Sequence, residues 1–119
     1  MAKILLVDDV YTARSMMERV LKHVGRYDVV AVGSGEEAVD AAEASSPDVI
    51  VLDISMAGMD GLSTLRELRS RGVMTPVVAY TARTERAVGE FVGHGFTAYV
   101  QKNGNLTNLL TTIREIVGK

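Results

Sequence analysis

Five side chains carry most of the chemistry open to this sequence: the acidic pair Asp8 and Asp9, the separate Asp53, the hydroxyl of Thr81 and the ammonium of Lys102. Each lies just past a short apolar run: Ile4 to Val7, Val49 to Leu52, Val77 to Tyr80 and Ala98 to Val100, the last extended by Gln101. If these runs are parallel strands of one open sheet, the side chains meet outside the strands' carboxyl ends, where such sheets bind ligands. Neighbouring strands about 4.8 Å apart bring Asp9 and Asp53 within reach of one ion, with Asp8 slightly behind. Two carboxylates about 5 Å apart repel by roughly 3 kcal/mol at an effective dielectric near 20, so the cluster requires a cation. Lys102 neutralises part of the charge. An all-oxygen site with few protein ligands suits hydrated Mg²⁺, which favours carboxylate together with phosphate. The spacing therefore points to a site for metal and phosphoryl. Softer metals are disfavoured, because His23 and His94 fall in predicted helices or at their ends, away from the carboxylates.

Taken singly, each residue has a plainer reading. Asp9 and Asp60 suit helix N-caps, Asp8 a solvated charge, Thr81 a turn hydroxyl and Lys102 an ordinary surface lysine. Only the recurrence of reactive groups at corresponding ends of separate strands favours a common site.

The elements that would hold these groups are readable from hydrophobic period. The four runs, with Tyr27 to Val32 as a fifth, read as buried strands. Between them, Ala13, Met16, Met17, Val20, Leu21 and Val24 form one helix face assigned to core packing. Leu106, Leu109, Leu110, Ile113, Ile116 and Val117 form another, closed by Gly118. Ser34 with Glu37 makes a capping box before Ala38, Val39 and Ala42. Leu62, Leu65 and Leu68 follow Asp60, and Thr84 precedes Ala87, Val88, Phe91 and Val92. Five strands alternating with five helices predict an α/β fold with right-handed crossovers. The expected sheet is parallel, five-stranded, in the order 2-1-3-4-5, with helices on both faces as in flavodoxin-like folds.

A length of 119 residues with 47% hydrophobic residues fits one domain, taken as 1–119. Thirteen Lys and Arg against 15 Asp and Glu leave no basic excess for nucleic acid or a membrane surface. Cysteine is absent, which removes disulfides, thiolate metal sites and cysteine nucleophiles. Apolar runs fall far short of the roughly 20 residues of a membrane span, and with no cysteine to demand an oxidising compartment a cytoplasmic location is expected.

The stretches Ile4-Leu5-Leu6-Val7-Asp8-Asp9, Val51-Leu52-Asp53-Ile54-Ser55-Met56 with Gly58-Met59-Asp60-Gly61, Ala79-Tyr80-Thr81-Ala82 and Ala98-Tyr99-Val100-Gln101-Lys102 occur in that order. In them the chain resembles the CheY-like receiver domain of bacterial two-component response regulators, over essentially its whole length. The resemblance implies that Asp53 is a phosphoacceptor, taking its phosphoryl group from a sensor histidine kinase, a phosphotransfer protein or a small phosphodonor. It implies Mg²⁺ held directly by Asp9, Asp53 and the Ser55 backbone carbonyl, and by Asp8 through water. Lys102, the Thr81 hydroxyl and the Ala82 N–H would stabilise the moving phosphoryl. Thr81 and Tyr99 would form the switch, changing the face made by the fourth predicted helix, strand 5 and the last helix. That face would be read by a downstream target protein, an output domain or a second copy in a homodimer. Such a phosphoprotein is not a conventional enzyme, since it catalyses only its own phosphorylation and dephosphorylation.

Two departures from the family's pattern stand out. Asn103 follows Lys102 where a cis proline is usual, and a cis bond to a non-proline residue costs roughly 3 to 4 kcal/mol, so a trans bond is expected. Ala57 likewise replaces a common proline. Ser55 and Arg83 occupy positions that tune phosphoryl lifetime in the family, and Arg83 is expected to shield the group. The competing functional reading is a protein-interaction module on the same fold that works without phosphorylation.

Overall fold

Strands covered on both faces need apolar side chains at nearly every position. β1 (Lys3–Val7), β3 (Val49–Leu52) and β4 (Val77–Thr81) meet that requirement and are almost wholly buried. With β2 (Asp28–Val32) and β5 (Ala98–Gln101) they form one sheet in the computed structural model. Its order is β2-β1-β3-β4-β5 and every pairing is parallel, as expected from the sequence. The structure describes residues 1–54, 60–81, 95–102 and 106–118. The predicted helix after Thr84 lies outside the described residues, as do Ala57 and Asn103.

Strand alternation sends Ile4 and Leu6 to one face and Leu5 and Val7 to the other, so the sheet carries two cores. On the first, α1 (Tyr11–His23) contributes Met17 and Leu21, and the C-terminal helix (Thr107–Val117) contributes Leu109, Leu110 and Ile113. On the second, α2 (Gly35–Ser45) brings Ala38, Val39 and Ala42, and α3 (Gly61–Ser70) brings Leu65 and Leu68. The α1 stripe is narrower than its period implied. Met16 is 53% exposed and Val24 59%, because a helix resting on a sheet buries a strip centred on Met17 and Leu21 and leaves its margins outside.

Local chemistry sets the helix ends. The Ser34 hydroxyl accepts from the Glu37 N–H at 3.1 Å and donates to the Glu37 carboxylate at 3.2 Å. Asp60 caps α3, its Oδ1 accepting from the Ser63 N–H at 2.8 Å. Gly118 ends the last helix at φ 76°, a left-handed conformation that suits glycine. β2 begins at Asp28 rather than Tyr27, because Arg26 turns the chain at φ 63° and Tyr27 is buried in that turn. Among the described residues no helix is long and apolar enough to cross a membrane.

Candidate functional site

The sheet's register lines up the strand ends. Val7 lies opposite Val32 on one side and Leu52 on the other, Leu52 opposite Ala79, and Thr81 opposite Gln101. The ladder then runs one step further. The Asp8 N–H donates to the Val32 carbonyl at 3.2 Å, Asp53 N–H to Val7 at 3.0 Å and Lys102 N–H to Thr81 at 2.6 Å. Backbone bonds thus fix the three residues from which the charged side chains spring.

Those side chains converge. Lys102 Nζ stands 3.0 Å from Asp8 Oδ2 and 3.1 Å from Asp53 Oδ2, donating a hydrogen bond to each. Asp8 is 1% exposed and Asp53 6%, so the ammonium compensates two carboxylates largely removed from water. The other Asp8 oxygen, Oδ1, accepts from the Val10 N–H at 2.9 Å. Asp8, Asp9 and Asp53 each present an oxygen within 4.8 Å of the others, and Asp9 is the most accessible of the three. Burial works against the Lys102 charge. The Asp8 hydrogen bond, the field of Asp53 and its hydrogen bond outweigh that effect, and the lysine pKa is raised.

This donor set fits a hard divalent cation. All the ligand atoms are oxygen, and three carboxylates with one ammonium leave two negative charges, which one such ion matches.

Thr81 is fully buried at the end of β4. Tyr99 lies opposite Ala79, two residues before Thr81 along the strand, so Tyr99 and Thr81 belong to the same sheet face. The Tyr99 ring is half-buried, tilted against Phe96 with centroids 5.6 Å apart, and burial raises its phenol pKa. Ser55, Ala82 and Arg83 lie outside the described residues. Asp60 acts as the α3 cap described above, and His23 is exposed on the last turn of α1.

Two side chains at the site were not singled out from sequence. Arg14 Nη1 donates to the Asp8 main-chain carbonyl at 2.7 Å, and its guanidinium lies 5.5 Å from the centre of the Tyr11 ring. It thereby ties the first turn of α1 to the bend that carries the acidic pair. Tyr80 lies beneath Lys102, with Nζ 5.4 Å from its ring centre. Its one sequence signal was an aromatic in a run otherwise made of Val, Ala and Thr.

Residues 4–114 match the model of the response regulator receiver domain family, and the chain belongs to that family. It is similar to response regulator MprA of Mycolicibacterium vanbaalenii, 36% identical over 118 residues, covering 97% of this chain and 50% of the relative. The chain spans about half the length, or less, of such curated relatives. Among solved structures, chemotaxis protein CheY4 of Vibrio cholerae superposes with a TM-score of 0.87 at 31% identity, covering 98% of both chains. Response regulator TrrA of Thermotoga maritima, solved in complex with Mg²⁺ and BeF, gives a TM-score of 0.87 at 27% identity and covers 98% of this chain and 99% of its own. The chain is accordingly a receiver domain of two-component signalling, and receiver domains are signalling modules rather than conventional enzymes.

Proposed function

We propose that residues 1–119 act as a Mg²⁺-dependent phosphoacceptor switch, with Asp53 receiving a phosphoryl group from phosphohistidine on a sensor histidine kinase or phosphotransfer protein. The observation that carries this reading is the shared cluster: Asp53 stands with Asp8 and Asp9, and Lys102 bridges Asp53 to Asp8. The Mg²⁺–BeF complex of the Thermotoga relative supports the choice of metal.

An Asp53 carboxylate oxygen forms the new O–P bond while the P–N bond to the donor imidazole breaks. The electron pair of that bond stays on the imidazole nitrogen. Charge spreads over the equatorial phosphoryl oxygens as the group moves. Lys102, the Thr81 hydroxyl and the Ala82 N–H are assigned to hold those oxygens by preorganised electrostatics. Mg²⁺ supplies charge neutralisation when bound. Its direct ligands are assigned as Asp9, Asp53 and the Ser55 carbonyl. Asp8 acts through water, in keeping with both its oxygens already accepting from Lys102 and Val10.

The phosphoryl group adds charge and strong acceptors at Asp53, toward which Thr81 moves. Tyr99 then fills the space beside it, changing the face offered to a target protein, an output domain or a second copy. Ser55 and Arg83 set how long the modification lasts. The place of action is the cytoplasm.

Intact-mass measurement after incubation with acetyl phosphate and Mg²⁺ tests the assignment. Wild type gains one phosphoryl mass and Asp53→Asn gains none. An adduct on Asp53→Asn would move the acceptor elsewhere. An unmodified wild type would favour an interaction module that works without phosphorylation.

A further inference from the structure

Lys102 and its two partners spring from the same face of the sheet. Lys102 follows Val100 by two residues, and Val100 lies opposite Tyr80 in the register, with both packed in the core beneath α1 and the C-terminal helix. The lysine stem therefore starts on that face, which Asp8 and Asp53 share because they follow Leu6 and Val51 by two residues, and Nζ meets both carboxylates there. Beside it lies a cavity of about 140 Å³ lined by Ala13, Met16, Met17, Tyr80, Leu106 and Lys102 itself. An aliphatic stem with four rotatable bonds has an alternative resting place there, which would draw the ammonium away from the carboxylates.

Tyr80 borders both choices. The residue is 4% exposed, so packing fixes its ring, and the ring centre lies 5.4 Å from Nζ, within cation–π range. We propose that Tyr80 is a positioning residue for Lys102, its ring holding the ammonium on the Asp8–Asp53 pair and the stem out of the neighbouring cavity. This inference rests on the reading of Asp53 as phosphoacceptor and extends it to a residue that does not touch the phosphoryl group.

The test compares initial rates of phosphorylation by acetyl phosphate for Tyr80→Leu, Tyr80→Met and Tyr80→Phe, each also made with Lys102→Ala. Leu and Met slow the reaction about threefold to tenfold, as loss of a partly desolvated cation–π contact implies, and Phe restores it. In the Lys102→Ala background the Tyr80 substitutions add nothing, whereas a purely structural effect would lower both backgrounds alike. A Leu variant at the wild-type rate, or an equal loss in both backgrounds, overturns the proposal. A second readout is independent of phosphoryl transfer. The Lys102 ε-methylene protons resonate upfield of free lysine in wild type and Tyr80→Phe, under the ring current, and return toward the free value in Tyr80→Leu. Unshifted protons in wild type refute the positioning. Shifted protons in a wild type that accepts no phosphoryl refute only the acceptor reading.

Discussion

A β-carbon on Gly33 would stand 2.8 Å from Arg14 Nη1, the nitrogen that donates to the main-chain carbonyl of Asp8. Glycine at the end of β2 thus makes room for the side chain that braces the acidic turn. Because the obstructed atom is the tip of a flexible arginine, Gly33→Ala is expected to lower stability by less than about 1 kcal/mol. Its larger effect is on the turn. Mg²⁺ affinity measured by calorimetry should fall about threefold or more, as should that of Arg14→Ala, since each removes a charged hydrogen bond to the bend. Unchanged affinity in both variants would show that the brace does not reach the carboxylates.

Gly61 gives the opposite balance. A β-carbon there would lie 2.4 Å from the Ile54 Cα, a backbone atom with no rotamer to change. Gly61→Ala should therefore lower the urea-unfolding free energy by roughly 1 to 3 kcal/mol, the usual range for overpacking. A midpoint equal to wild type would mean that the segment after β3 shifts without penalty.

Asp60 is acidic and close in sequence to Asp53, yet its carboxylate is occupied with the Ser63 N–H. Asp60→Ala should cost about 1 kcal/mol of stability, as loss of an N-cap does, and leave the phosphorylation rate unchanged. A loss of rate without loss of stability would assign it to the site instead.

The raised Lys102 pKa has an alkaline consequence. At neutral pH the ammonium is intact in both folded and unfolded chains, and its contribution is fully present. As pH passes about 10.4, the ordinary lysine value, the unfolded chain loses its proton first while the folded one retains it. Unfolding free energy then declines until the folded pKa is passed. Burial of Tyr80 and Tyr99 raises both phenols and acts in the same direction. Urea midpoints between about pH 9 and 11.5 should fall more steeply for wild type than for Lys102→Met. Parallel slopes would remove Lys102 from the linkage.

Much of the scaffold was legible because its signals are local or periodic. Val49 to Leu52 reads as a strand from four consecutive apolar residues, and Ser34 with Glu37 marks a helix start by type and spacing alone. The meeting of Asp8, Asp53 and Lys102 was legible for a different reason. In a parallel sheet the strands' carboxyl ends share one edge, so polar residues placed there in separate strands become neighbours. Arg14 and Tyr80 were not legible, since their importance lies in contacts spanning 6 and 22 residues between groups whose types suit a helix surface and a strand interior. Met16 and Val24 were read as core because period gives the direction a side chain points, but not the width of the surface it meets.

The bridge from Lys102 to Asp8 and Asp53 also makes the protein a competitor for its own binding site. A divalent ion approaching these acids meets oxygens already engaged by an internal cation, and its apparent affinity reflects the difference between the two attractions. Weakening the lysine's hold should therefore tighten ion capture even as it removes the group assigned to the incoming phosphoryl oxygens, so uptake of metal and speed of modification are set against each other in one side chain.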